Sequence, residues 1–388
     1  MKKLLLISSL LVGPALLLAQ NAQNYVPSGP TPLGPGDPGW TGQTIQSGAA
    51  PAYTGGLDQA RIMKPLSDEW TSYSGDLTGK RHSALKLVNR ETVKNLSLKW
   101  ITPLPQGCGP DGRGQAGAGP AAQAGGGGGG RGGGAAAQAY PIIVGGLANG
   151  AANTCGPARI GGGILAVDGT LYAASPNNVF AVDARDGAIK WHNYWKSRGG
   201  TTTGTRGPGM LGNLIYFSQH DDWVVALDAK TGKEVWRHEV SPFDQQYFTS
   251  IAPMPIKGHL LVGTGNDTDM PAFLKSLDPR TGAVQWILYS TAQKEGDPGL
   301  ETWASLDAAR HGNGATWIPG VYDPELNLYY YGTGNPTPSY TQGRGDGDNL
   351  FTSSLLAVNP DTGKMVWHYQ TSPHDTHDWD STQTPVIY

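Results

Sequence analysis

AVDARDGAIKW (residues 181–191), ALDAKTGKEVW (226–236), SLDPRTGAVQW (276–286) and AVNPDTGKMVW (357–367) are four copies of one phrase. Each is a small apolar run, an Asp or Asn, two or three turn residues, a Gly, three more residues and a Trp. A degenerate fifth copy, NLSLKW, ends at Trp100 and keeps only the strand and the Trp. From Trp191 to Trp236 is 45 residues, to Trp286 a further 50 and to Trp367 a further 81. A period of about 40–50 residues built from β-type units is the signature of propeller blades. The phrase reads as a hairpin, in which Asp and Thr hydrogen-bond their own turn and Gly supplies a positive φ. The closing Trp carries more apolar surface than one small blade can bury, so it is expected to pack on the neighbouring blade. The fold class is all-β, a β-propeller.

Composition agrees with that reading. Of 388 residues, 57 are Gly and 29 are Pro, and only 15% are charged, as many short strands and tight turns require. A net charge of −3 argues against nucleic acid, which demands a basic surface. Lys2 and Lys3 followed by the apolar run Leu4–Leu18 read as a secretory signal over residues 1–19, with Leu17 an atypical −3 residue. That run is shorter than the ~20 residues of a membrane-spanning helix, so the mature chain is expected to be exported, with no membrane span. Cys108 and Cys155 are the two cysteines, and in an oxidising compartment they either pair or stand as two thiols.

Residues 20–66 are Pro/Gly-rich and read as an extended leader, and residues 67–388 as the propeller body. About residues 105–160, centred on QAGGGGGGRGGGAAAQA, read as a flexible insertion. TPVIY (384–388) reads as the start of a strand. Four clear phrases and a partial fifth are fewer blades than a closed ring of this type needs, so the chain is expected to be a piece of a longer protein. The long step between Trp286 and Trp367 is rich in Trp, Asn, Asp and Tyr, and insertions of this kind tend to carry function.

Several polar groups there suit a metal and a planar cofactor. Asp267 and Asp269 lie in VGTGNDTDM, Asn335 follows GTG, and Asp375, Asp378 and Asp380 lie in SPHDTHDWDS. Carboxylate and amide oxygens from separate loops are what a hard cation such as Ca²⁺ requires. Each Asp taken singly also fits a solvated turn, and His374 and His377 read as satisfied loop histidines.

GTGNP (332–336), YDPELNLYYYGTGN and SPHDTHDWD, together with the repeats, resemble the quinoprotein alcohol dehydrogenases that use pyrroloquinoline quinone (PQQ), of methanol/ethanol dehydrogenase large-subunit type. The resemblance covers roughly Trp70 to Tyr388 outside the Gly-rich insertion. It implies an eight-bladed propeller with PQQ and one metal ion on its axis. By position, it makes Asp378 the catalytic base and Arg206, Thr249, Thr264 and Trp317 cofactor contacts, with Trp317 the aromatic floor beneath PQQ. Asp267, Asn335, Asp378 and Asp380 become the metal-side residues. Asp380 is the mark of lanthanide-dependent members, so a lanthanide is favoured over Ca²⁺. An extended loop would let Asp378 and Asp380 face one ion together.

The sequence departs from the family pattern at two points. Asp267 stands where a Glu is usual, and SRGGTTTGTRG lacks the adjacent Cys pair. The implied activity is periplasmic oxidation of small primary alcohols, with electrons passed to a cytochrome c and the piece alone inactive. A non-enzymatic scaffold of the outer-membrane assembly type is the other reading of the repeats.

Overall fold

The computed structural model describes residues 42–49, 55–66, 68–104, 140–147, 160–198, 204–245, 247–265, 269–340 and 343–388. The signal segment, Cys108, Cys155 and Asp267 lie outside the described residues. Each of the four phrases forms the third and fourth strands of one antiparallel sheet, and the four sheets are the four blades. Blade 1 comprises Leu165–Val167, Thr170–Ser175, Asn178–Asp183 and Ile189–Lys196. Blade 2 comprises Gly209–Leu211, Leu214–Ser218, Trp223–Asp228 and Glu234–Glu239. Met254–Ile256, His259–Gly263, Phe273–Leu277 and Val284–Tyr289 make blade 3. Val321–Asp323, Leu328–Gly332, Ser354–Asn359 and Lys364–Gln370 make blade 4.

The turn chemistry repeats with the phrase. Asp228 Oδ1 accepts from the Lys230 and Thr231 amides at 3.1 and 2.7 Å, and Asp278 does the same for Arg280 and Thr281 at 2.8 and 2.9 Å. The Gly then closes the turn with φ of +78° at Gly187, +70° at Gly232, +69° at Gly282 and +67° at Gly363. Against each of these glycines lies the Trp of the preceding blade. Trp191 Nε1 donates to Ala229 O at 3.0 Å, Trp236 Nε1 to Pro279 O at 3.2 Å and Trp286 Nε1 to Pro360 O at 2.7 Å. A Cβ at Gly232 would stand 2.6 Å from the Trp191 indole, so that position excludes a side chain twice over.

Trp100 follows the same rule. Its Nε1 donates to Ala184 O at 3.3 Å and its ring covers Gly187. Residues 96–100, however, form no strand, because Leu96 and Leu98 are exposed and no partner strand lies beside them among the described residues. Trp367, the last in the series, is 41% exposed, and its neighbours Val366 and Tyr369 are exposed with it.

Three further expectations are corrected. The leader is partly ordered: Thr44–Gln46 pairs antiparallel with the outer strand of blade 2, and Gln59–Met63 is a short helix capped by Asp58. Within the span read as a flexible insertion, Ile142–Gly146 runs parallel to the outer strand of blade 1; its apolar β-branched residues supply what the glycines lack. TPVIY forms no strand. Ile387 N–H instead donates to Thr78 O at 2.9 Å.

Blades 2 and 3 are also tied by a buried polar chain. The Thr44 hydroxyl donates its one proton to Gly282 O at 2.8 Å, so it accepts from His238 Nδ1 at 2.8 Å. His238 Nε2 is then the acceptor for Lys275 Nζ at 3.3 Å. Among the described residues no helix is long and apolar enough to cross a membrane.

Two outcomes are expected. Gly232→Ala should lower stability by about 1–2 kcal/mol for the left-handed backbone and by about 1–3 kcal/mol for overpacking on Trp191; urea unfolding measures it. Burial holds His192 at about 4, and burial with the Lys275 charge holds His238 at about 2, both down from 6.5. Their contribution is therefore intact above about pH 6.5 and is lost as the pH falls, by roughly 1.4 kcal/mol per pH unit for each histidine until the native value is reached. A denaturation midpoint that stays level from pH 7 to pH 5 would contradict this.

Candidate active site

The segments that lead into the inner strands carry most of the expected site, and a ladder of backbone hydrogen bonds joins them across the blades. Gly163 N donates to Arg206 O and Arg206 N to Ser250 O, both at 2.9 Å. Phe248 and Gly265 exchange bonds of 3.0 and 2.8 Å. Thr316 N donates to Thr264 O, Gly334 N to Ala315 O and Ser353 N to Gly334 O, each at 2.8 Å. Arg206, Thr249, Thr264, Trp317 and Asn335 all sit on this ladder or one residue from it. The segments approach closely: a Cβ on Gly263 would fall 2.1 Å from Thr316 O.

The ladder brings Arg206 onto Trp317. The guanidinium carbon lies 4.7 Å from the indole centroid, a cation–π contact in a half-buried setting. Burial pulls the Arg206 pKa down, yet no carboxylate accompanies the charge among the described residues. Nearby, Thr249 is fully buried and its Oγ1 has no hydrogen-bond partner. Thr264 differs, because its Oγ1 already accepts from Phe273 N at 3.2 Å and keeps only its own proton to give. A half-buried cation with no carboxylate beside it among the described residues, a flat aromatic face and a bare hydroxyl together fit a planar anionic ligand.

A second cluster forms where the 335–340 and 375–380 loops meet. Asn335 is buried and commits its amide hydrogens to Ser339 Oγ at 2.7 Å and Pro336 O at 3.2 Å. Its Oδ1 carbonyl is thereby left as the group available to a cation. Asp380 Oδ1 accepts from the Asn335 backbone amide at 3.3 Å. Asp378 is exposed, and its Oδ2 accepts from the Tyr340 hydroxyl at 3.2 Å.

The loop bearing these aspartates is not extended as expected. Asp378 and Asp380 have φ of +65° and +36°, because Asp375 holds the turn by accepting from His377 N and Trp379 N, both at 2.8 Å. Alternation therefore does not set the directions of Asp378 and Asp380, which bond to different partners. Asp375 itself is buried and serves the turn. His374 Nδ1 is paired with Gly347 O at 2.8 Å, and His377 stacks on Trp379 with ring centroids 5.7 Å apart. Among the described residues no three His, Cys, Asp or Glu side chains gather as a metal site.

The sequence profile of the glucose/ethanol/alcohol dehydrogenase β-propeller domain, the PQQ family, matches residues 244–388. Quinohemoprotein alcohol dehydrogenase ADH IIB of Pseudomonas putida is 30% identical over 356 residues, 86% of this chain and 44% of its own length. Quinoprotein alcohol dehydrogenase PedH of Pseudomonas putida is 36% identical over 245 residues, 58% of this chain and 41% of its own. The chain belongs to the PQQ-dependent quinoprotein alcohol dehydrogenase family.

Solved structures agree. Quinohemoprotein alcohol dehydrogenase ADHIIG from Pseudomonas putida HK5 superposes with a TM-score of 0.64 at 27% identity, over 84% of this chain and 44% of that one. A europium-containing methanol dehydrogenase gives 0.63 at 25% identity, over 83% and 52%. The chain thus spans about half the length of the relatives it matches. The profile of outer membrane protein assembly factor BamB matches residues 135–305, a stretch that stops before Trp317, Asn335 and Asp378.

Within this quinoprotein chain one organising residue escapes a motif reading. Arg344, in GRGDGD, is buried, and its guanidinium donates to Asn349 Oδ1 at 3.0 Å, to Pro338 O and to Asp375 O. It clamps the Asn335 loop to the Asp378 loop. Its only signal in the sequence is an Arg isolated among Gly and Asp, which marks a surface charge as readily as a clamp.

Proposed function

We propose that the protein carrying this chain is a periplasmic PQQ-dependent dehydrogenase that oxidises small primary alcohols to aldehydes and passes the electrons to a cytochrome c. The observation that carries this reading is the Arg206 guanidinium over the Trp317 indole, with no acid paired to it among the described residues and the bare Thr249 hydroxyl nearby. In this role Trp317 would be the stacking floor, Arg206 would hold a cofactor oxygen by a charge-assisted bond, and Thr249 and Thr264 would offer their hydroxyls to it. The bound quinone supplies the two-electron acceptor that no side chain here provides.

Asn335 and Asp380 would hold the metal at the loop junction, with Asp267 the further carboxylate expected from the sequence. A metal ion there supplies Lewis acidity. Asp378 receives the alcohol O–H proton on a carboxylate oxygen; its exposure leaves a small substrate room to approach. The Tyr340 bond steadies that carboxylate, and Arg344 fixes the two loops against each other so that base and metal side keep their spacing. The scaffold reading draws on the BamB match but leaves this cluster without a role.

Asp378→Asn in the intact protein should lower kcat by about 10²–10⁴-fold while PQQ binding persists, because the change removes the base and keeps its shape; normal turnover would refute the assignment. We further propose a lanthanide as the metal. The second carboxylate at Asp380 suits a trivalent ion of calcium-like size. Titrating metal-free protein with La³⁺ and Ca²⁺ should give higher activity with La³⁺, and Asp380→Ala should weaken La³⁺ more than Ca²⁺. Higher activity with Ca²⁺, untouched by Asp380→Ala, would overturn it.

A further inference from the structure

GTGN (332–335) carries two glycines whose backbone does not call for glycine. Neither Gly332 nor Gly334 has a positive φ, so the reason for the bare Cα is space. A Cβ on Gly332 would fall 1.8 Å from Ser381 O and 2.7 Å from Thr382 Cα. A Cβ on Gly334 would fall 2.7 Å from Asp380 Oδ1, while the next atoms, Ala315 N and O, stand at 3.4 Å, an ordinary contact. Residues 380–382 therefore lie along this one segment, with backbone over Gly332 and a carboxylate over Gly334.

The two close approaches differ in what can yield. Gly334 is fixed, because its amide donates to Ala315 O and its carbonyl accepts from Ser353 N, both at 2.8 Å. The preceding Thr333 hydroxyl donates to Phe351 O at 2.7 Å. The Asp380 carboxylate, in contrast, can turn about its own side-chain torsions. A Cβ at position 334 would therefore displace the carboxylate and leave the backbone where it is. Lost with it would be the 3.3 Å bond from the Asn335 amide. That bond keeps an Asp380 oxygen beside Asn335, whose amide hydrogens are committed to Ser339 and Pro336 and whose Oδ1 is left for a cation.

We propose that Gly334 is a positioning residue for the metal: its missing side chain is the seat that keeps the Asp380 carboxylate on the Asn335 side, and this seat supports the preference for a trivalent ion. The proposal rests on the metal reading of the loop junction. Attraction between a carboxylate and an ion grows with the charge of the ion, so unseating Asp380 costs a trivalent ion more than Ca²⁺ of similar size.

The test is calorimetric titration of intact, metal-free protein holding PQQ, with La³⁺ and with Ca²⁺, alongside thermal melts without metal. Gly334→Ala should weaken La³⁺ binding by about 10–100-fold, the usual cost of losing a group that orients a metal ligand, and Ca²⁺ binding by less. The metal-free melting temperature should stay level or rise, because a Cβ at ordinary φ restricts the unfolded chain. With Asp380→Ala already in place, Gly334→Ala should cost La³⁺ nothing further, the non-additivity of a change that acts through that carboxylate. If Gly334→Ala binds La³⁺ as tightly as wild type, or loses as much affinity with Asp380 already removed, Gly334 is a packing residue and the proposal fails. If wild-type protein binds neither ion, or Asp380→Ala leaves La³⁺ binding untouched, the metal reading of the junction falls and takes the proposal with it.

Discussion

The tryptophan of one blade pressed on the turn glycine of the next is the contact from which the rest of this protein follows. A four-stranded sheet of this size cannot bury its own apolar surface, and here each blade borrows its neighbour. Trp191 and Trp236 are completely covered, and each indole N–H ends on the carbonyl one residue past the Asp or Asn column. The contact is both apolar and directional, so it sets the rotation between blades as well as holding them. The same glycine must be left-handed and must lack a Cβ, which explains why it recurs while the residues around it drift.

That register is what makes a site possible. The segments leading into the inner strands of blades 2, 3 and 4 contribute Arg206, Thr249 and Trp317, and Asn335 follows the second strand of blade 4. Residues of different blades would not meet unless blade rotation were fixed. The backbone ladder from Gly163 to Ser353 then converts blade spacing into side-chain spacing. Arg206 meets Trp317 although 111 positions separate them. Loop length beyond the ladder is spent on the cluster of Asn335, Asp378 and Asp380, where a single buried arginine does the joining.

How much of this was legible in the sequence depended on whether a residue's role is local. The turns, the glycines and the docking tryptophans repeat, and repetition exposes them. Trp317 stood out because it falls outside the phrase. Arg344 acts between loops distant in sequence, and its residue type is equally at home in solvent. The direction of the Asp378 loop was misjudged for a related reason: alternation assumes extended backbone, whereas the Asp375 carboxylate captures two amides and winds the turn left-handed. Likewise the glycine-rich composition around residue 130 concealed Ile142–Gly146, since a short apolar run is outvoted in any average over its surroundings.

The docking contact also has polarity. Each blade presents a plug, its tryptophan, and a socket, its turn glycine with the carbonyl beside it. Trp100 fills the socket of blade 1. A residue that belongs to none of the four blades thus makes on blade 1 the same contact that the tryptophans of blades 1, 2 and 3 make on the next blade.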